Sequence, residues 1–286
     1  MKFGYLSHNN AEGIRPEQVA REIEDRGFDS LWLPEHSHIP TSRRTPYPAG
    51  GELPEMYYHN MDPIVSLTAA AMTTTDLLLY TGVCLIHEHD LLDLACGTAT
   101  LDVLSGGRFR LGVGVGWNEE EYDNHRTDLP FKQRYSGMRE RIAALRAAWS
   151  QEPAGFDGTW DSFTESHVYP KPVNGRIPVS LGNAGPLGIQ HAAEYADEWC
   201  PIDASMLNVS GKPDPAGAIT RFRQLATDAG RDPDSIPITI HSFRVHEARF
   251  ESYAELGVER IVLFPPTMNR ISVDDSLAHL DKLAEI

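Results

Sequence analysis

The 286-residue sequence predicts an α/β fold, a single (β/α)8 (TIM) barrel occupying residues 1–286. Two patterns predict it. Helix-like and strand-like segments alternate through eight units, and two helices, near the start and the end of the chain, end in a glycine followed directly by an apolar run. Strict alternation with short connections requires parallel strands joined by right-handed crossovers. Eight such units in about this length close into a barrel more readily than they extend an open sheet.

The chain opens on a strand, Lys2 to Leu6. A helix then starts at Pro16, with Val19, Ala20 and Ile23 on one face and Arg21, Glu22 and Glu24 on the other. Gly27 ends it through a left-handed turn, and Phe28–Leu33 re-enters the sheet. Helices near Pro63–Thr74 and Leu91–Leu104 precede strands Leu77–Thr81 and Arg108–Val113 in turn. A long amphipathic helix, Lys132–Trp149, leads toward strand Ile177–Leu181. Helix Ile189–Tyr195 precedes strand Asp197–Pro201, and helix Pro215–Ala229 precedes strand Ile236–Ile240. Helix Phe250–Leu256, Gly257, strand Val258–Phe264 and helix Val273–Ala284 finish the chain.

Two segments exceed the minimal repeat: residues 35–60 after the second strand and 150–176 before the fifth. The first is rich in Pro and Gly, carries Tyr47, Tyr57 and Tyr58, and follows the C-terminal end of a strand, where barrels keep their active sites. It reads as a substrate-covering loop. The second, with Phe156-Asp157-Gly158-Thr159-Trp160, reads as a structural flap.

Composition narrows the partners. The net charge of -16 repels a polyanion, and no basic run exceeds Arg43-Arg44, so neither nucleic acid nor an anionic membrane is expected. No apolar run reaches the ~18 residues that cross a bilayer. The start, MKFGYLSHNN, is too short and polar for a signal peptide, which predicts a cytoplasmic protein. Cys84, Cys96 and Cys200 form no CxxC pair, and each sits in an apolar-looking segment. Buried reduced thiols are expected.

The loops that should gather at the strand C-termini carry many histidines, repeated glycines and few charges. Gly112-x-Gly114-x-Gly116 lacks the spacing of a dinucleotide fingerprint, and its glycines suit close approach to a flat ring or ligand, or a purely structural role at a barrel corner. Gly182-Asn183-Ala184-Gly185-Pro186 opens a helix, and free N–H groups there favour a phosphate. His36-x-His38 and His87-x-His89-Asp90 raise the alternative of a metal-dependent hydrolase, since alternate residues on an extended segment point the same way. Further zinc ligands are not evident, and no metal-binding residue is assigned.

Four segments occur in order: Leu31-Trp32-Leu33-Pro34-Glu35-His36, Thr81-Gly82-Val83, Ala99-Thr100-Leu101-Asp102-Val103-Leu104-Ser105-Gly106-Gly107-Arg108, and Gly112-Val113-Gly114-Val115-Gly116-Trp117-Asn118. Together they resemble the bacterial luciferase-like monooxygenases and their coenzyme F420 (deazaflavin)-dependent relatives. Residues Pro40–Pro48 look closest to the actinobacterial F420-dependent subgroup. The resemblance implies a flavin or deazaflavin oxidoreductase acting on a small-molecule substrate, and a homodimer. It places a non-prolyl cis peptide and a bulge at Gly82-Val83, behind the ring. It puts Glu35 and His36 beside the reactive face as catalytic residues, His36 being the proton donor and Glu35 its backup. Gly114, Val115 and Gly116 then form the wall under the ring. Asn118 reaches the ribityl chain, and Gly182, Asn183 and Gly185 take the phosphate. Asp102, Ser105 and Arg108 are expected to tie a helix to the fourth strand. Relatives often carry a basic residue where this chain has Cys96-Gly97. The expected cofactor is coenzyme F420, passing a hydride to or from the substrate. The alternative is FMN with O2, as a monooxygenase.

Overall fold

A computed structural model describes residues 1–126 and 128–286. Its strands in chain order are β1 Lys2–Leu6, β2 Ser30–Leu33, β3 Leu78–Thr81, β4 Cys84–Leu85, β5 Phe109–Gly114, β6 Ala154–Asp157, β7 Ser162–Ser166, β8 Val179–Leu181, β9 Glu198–Trp199, β10 Thr239–Ser242 and β11 Arg260–Leu263. The helices are α1 Pro16–Asp25, α2 Pro63–Ala71, α3 Leu91–Leu104, α4 Glu119–His125, α5 Arg134–Ser150, α6 Pro186–Tyr195, α7 Pro215–Asp228, α8 Glu247–Glu255 and α9 Val273–Leu283.

Among the described residues, eight parallel strands run in the order β10-β11-β1-β2-β3-β5-β8-β9, and the short β4 pairs parallel with β5 beside them. Parallel bridges Trp199–Ile238 and Ile202–His241 join the two ends, so the sheet is a nearly closed barrel. The eight βα units expected from the alternation are present. Helix α4 is an addition: its run of acidic residues carries no apolar stripe long enough to announce a helix. The tenth strand lies later than the apolar run at 236–240 suggests, because Pro237 has no N–H for the ladder and accepts instead, from Trp199 N at 3.0 Å.

Alternation along the strands divides the core in two. Leu31 and Leu33 face the helices, in the large cluster with Val19, Ile23, Leu67 and Leu79. Trp32 turns inward, where it stacks on Tyr80 with ring centroids 3.7 Å apart. The barrel also buries Arg260, which donates to Asp29, Glu198, Tyr80 and Thr239. Burial alone would strip its charge. Its hydrogen bonds and ion pairs, with Asp29 foremost, more than compensate and push its pKa above the ordinary arginine value.

The two long segments differ in kind. Residues 35–60 stay irregular apart from a short 3-10 turn at Glu55–Tyr58. Glu120 pins this segment by accepting from Arg44 N and Thr45 N at 2.8 Å each, and from the Ser42 hydroxyl. Residues 150–176 form the antiparallel hairpin β6–β7. Its turn is bound by Glu140, which accepts from the N–H groups of Thr159, Trp160 and Asp161, and by the buried Arg141–Asp161 pair at 2.8 Å.

Two expectations need correction. Cys84 and Cys200 are buried, but Cys96 is exposed on α3, with its Sγ 3.4 Å from Tyr169 O. On a helix only one face meets the core, and an apolar neighbourhood in sequence does not fix which. Asp102 does not bind strand β5; it accepts from Val173 N at 2.8 Å, anchoring the segment that leads to β8. Arg108 makes the expected tie, donating through Nε to Ser105 O at the end of α3 at 2.8 Å, and it also closes the α2–β3 connection by donating to Ala71 O, Thr74 O and Leu77 O. Among the described residues no helix is long and apolar enough to cross a membrane.

Candidate active site

A cavity of about 510 Å³ opens at the C-terminal ends of the barrel strands. Its wall includes Glu35, His36, Gly82, Val83, Gly114, Val115, Gly116, Gly182, Asn183 and Gly185. One motif from each of four loops therefore meets in one place, as the barrel topology requires. Asn118 is not on this wall. It is buried just after Trp117, as the N-cap of α4, and among the described residues neither polar atom of its side chain has a hydrogen-bond partner.

The wall owes its shape to the β3–β5 edge. Tyr80 pairs with Arg110, an offset of 30, but Cys84 pairs with Val113, an offset of 29. One extra residue is thus accommodated between β3 and β4, which is a bulge, and the peptide Gly82-Val83 inside it is cis. The bulge delivers Val83 to the cavity. It also brings Thr81 O so close to Gly112 that a Cβ there would stand at 2.0 Å, while a Cβ on Gly114 would stand 2.4 Å from Val83 Cγ2. Gly112 therefore requires glycine, and any side chain at Gly114 would displace Val83. Gly116 has φ +73°, which lets the chain turn out of β5 into Trp117.

Glu35 and His36 leave β2 together and take different partners. Glu35 is buried, accepting from Leu85 N at 2.6 Å and pairing with His89 Nε2 at 2.8 Å. Burial opposes its charge, but His89 and Leu85 N–H outweigh that penalty and hold the carboxyl below the ordinary range. His36 places Nδ1 2.7 Å from Glu121 Oε2 on α4. Its ring lies edge-on to Tyr57 and Trp117, at centroid distances of 5.1 and 5.9 Å. Tyr47 contacts both of those rings, so an aromatic layer covers the cavity beside His36.

The far end is different. Gly185 starts α6 with no side-chain cap, leaving N–H groups of the first turn free. The wall also includes Arg134 and Tyr135, at the start of α5, with the Tyr135 hydroxyl 3.5 Å from Asn183 Oδ1. Arg134 donates through Nε to Gly116 O and through Nη1 to Phe131 O. Among the described residues it is the one arginine or lysine of the cavity wall.

Sequence reasoning missed Arg134 and Glu121. Arg134 lies inside a helix pattern that signals only packing. Glu121 follows Asn118 at the spacing of a capping box, which would assign it to the helix start. His241, on the cavity floor, stands in the sequence as an isolated histidine. Burial pushes its pKa down to about 3, so it is neutral at ordinary pH.

The histidines of the two His-x-His motifs do not converge. His38 bonds Ser37 and Asn124, His87 bonds Arg134 O, and His89 bonds Glu35. Glu35, Cys84 and His89 come within 4.8 Å of one another. Glu35 and His89 are already satisfied by hydrogen bonds, and burial pushes the Cys84 thiol well up, away from the thiolate that a metal needs.

The luciferase-like monooxygenase family model matches residues 1–263. An uncharacterized protein of Mycobacterium tuberculosis is 36% identical over 290 residues, covering 99% of this chain and 98% of that one. The F420-dependent glucose-6-phosphate dehydrogenase of Amycolatopsis mediterranei is 26% identical, covering 88% of this chain and 72% of that one. Among solved structures, an F420-dependent secondary alcohol dehydrogenase in complex with an F420-acetone adduct superposes with a TM-score of 0.76 at 18% identity, over 100% of this chain and 97% of that one. The chain belongs to the luciferase-like monooxygenase family.

Proposed function

We propose that this protein is a coenzyme F420-dependent oxidoreductase that transfers a hydride to or from a small organic substrate. The observation that carries the reading is one cavity with a flat, glycine-built wall, an anion-ready end and a histidine under an aromatic cover. The residues suit a flat ring with a phosphorylated tail. Gly82, Val83, Gly114, Val115 and Gly116 would bound the ring, and Gly182–Gly185 with Arg134 would hold the phosphate. Such a cofactor supplies the hydride; the protein orients it and exchanges a proton with the substrate oxygen. His36 is the group for that exchange. Glu35, committed to Leu85 and His89, supports the loop instead. The cavity volume is in the range of small-molecule sites, and F420-dependent relatives support the choice of cofactor.

A second reading is an FMN-dependent monooxygenase. The aromatic cover of Tyr47, Tyr57 and Trp117 favours it, since oxygen chemistry needs a dry pocket. Titrating the purified protein separately with coenzyme F420 and with FMN, by ligand fluorescence, decides between them. Tight binding of F420 alone is expected; tight binding of FMN alone would overturn the deazaflavin reading. A homodimer is also proposed. Val65 and Met72 at α2, with Leu92, Val103 and Leu104 at α3, are exposed apolar side chains on adjacent helices that support it, and sedimentation as a dimer is the expected result.

A further inference from the structure

We infer that Glu121 is the positioning residue for His36, holding the imidazole with its Nδ1–H turned into the protein and Nε2 as the nitrogen that exchanges a proton in the cavity. The inference deepens the reading of His36 given above and rests on it for its catalytic meaning, though not for its geometry.

The geometry is that of a histidine oriented by a buried carboxylate. Glu121 Oε2 lies 2.7 Å from Nδ1, with side-chain exposures of 1% for Glu121 and 6% for His36. A carboxylate offers only acceptors, so the hydrogen of this bond belongs to Nδ1. Tyr57 and Trp117 flank the ring edge-on, and neither engages a ring nitrogen. Among the described residues no protein hydrogen bond takes Nε2, and His36 lines the cavity. The neutral ring therefore has one defined tautomer, with Nε2 as acceptor. When the substrate oxygen gives up a proton, Nε2 receives it and both nitrogens carry hydrogen. When the oxygen needs a proton, Nε2 returns it and the Nδ1–H ring is restored.

Other titratable groups near this pair lie behind it. Glu88, from the turn after β4, is close enough to Glu121 and Glu35 to feel their charge. His125 of α4 and His38 meet through Ser37 at the surface. None of them replaces Glu121 as the partner of Nδ1. The arrangement parallels the buried acid that fixes the tautomer of a catalytic histidine in hydrolases, where loss of the acid costs up to ~10⁴ in turnover while leaving the fold intact.

The test is nitrogen NMR of the cofactor-free protein carrying ¹⁵N-labelled histidine, with the His36 signals assigned by loss in His36→Phe. Wild type is expected to show the Nδ1–H tautomer in the neutral ring; an Nε2–H ring would overturn the proposal outright. Glu121→Gln keeps the volume but can present either an N–H or a C=O to the ring. A mixture of tautomers is expected, with kcat lowered by ~10² or more while KM and F420 affinity stay within about threefold. Glu121→Asp should recover part of that loss. An unchanged single tautomer in Glu121→Gln, or a loss confined to KM, would sink the assignment. The tautomer measurement needs neither cofactor nor turnover, so it stands apart from the fate of the deazaflavin reading.

Discussion

Replacing Glu88 by glutamine should stabilise the protein, increasingly so as pH rises. Glu88 sits in the 3-10 turn Ile86–Glu88 with its side chain 4% exposed, and its Oε2 accepts no hydrogen bond. The nearest cationic candidate, His125 Nε2, is 3.7 Å away, and burial disfavours the protonated form of that ring. Burial first, and then the neighbouring charges of Glu121 and Glu35, push the Glu88 carboxyl up from 4.5 to about 9. The folded protein therefore keeps a proton that the unfolded chain releases above 4.5. Its contribution is fully favourable below pH 4.5 and is lost as pH climbs toward 9. Each pH unit in that window costs about 1.4 kcal/mol, which amounts to about 3 kcal/mol by pH 7 and about 6 kcal/mol by pH 9. A glutamine side chain has no such proton to lose, so Glu88→Gln should match wild type near pH 5 and exceed it by roughly these amounts at higher pH. Urea unfolding of both proteins at pH 5, 7 and 8.5, with linear extrapolation, reads the difference. A gap that does not widen with pH would refute the reasoning, for it would mean that Glu88 ionises in the folded state near its ordinary value.

Three further outcomes are expected. Arg134→Gln should weaken F420 binding by ~10–100-fold, the worth of a charge-assisted contact, yet leave a deazaflavin lacking the phosphate tail unaffected; equal losses for both ligands would remove Arg134 from the phosphate end. Asp161→Ala strands the buried Arg141 guanidinium and should cost about 3–5 kcal/mol in denaturant unfolding, whereas a loss under ~1 kcal/mol would mean the pair is not desolvated. His36→Phe should cut turnover by ~10²–10⁴ with F420 affinity within about threefold, and unchanged turnover would show that His36 is not the proton donor.

The sequence by itself determined the barrel and the loops that meet at its mouth. Eight alternating units leave little choice of topology, and parallel strands bring all eight C-terminal ends to one face. Glu35-His36, Gly82-Val83, Gly114–Gly116 and Gly182–Gly185 therefore share a cavity, however far apart they lie in the chain. Only the tertiary structure decided which partners those residues take. Glu35 and His36 are adjacent in sequence, yet one is committed to Leu85 and His89 and the other to Glu121, because α4 and the loop after β4 approach β2 from different sides. Helix α4 carried no periodic signal, so nothing local announced that its third residue would face the ring of a histidine 85 positions earlier. Arg134 was hidden for the same reason, since a cation at a helix start is ordinary until it is found lining the same cavity as Gly185. Cys96 marks the converse: its neighbours are apolar, but helix rotation, set by packing, turned it to solvent.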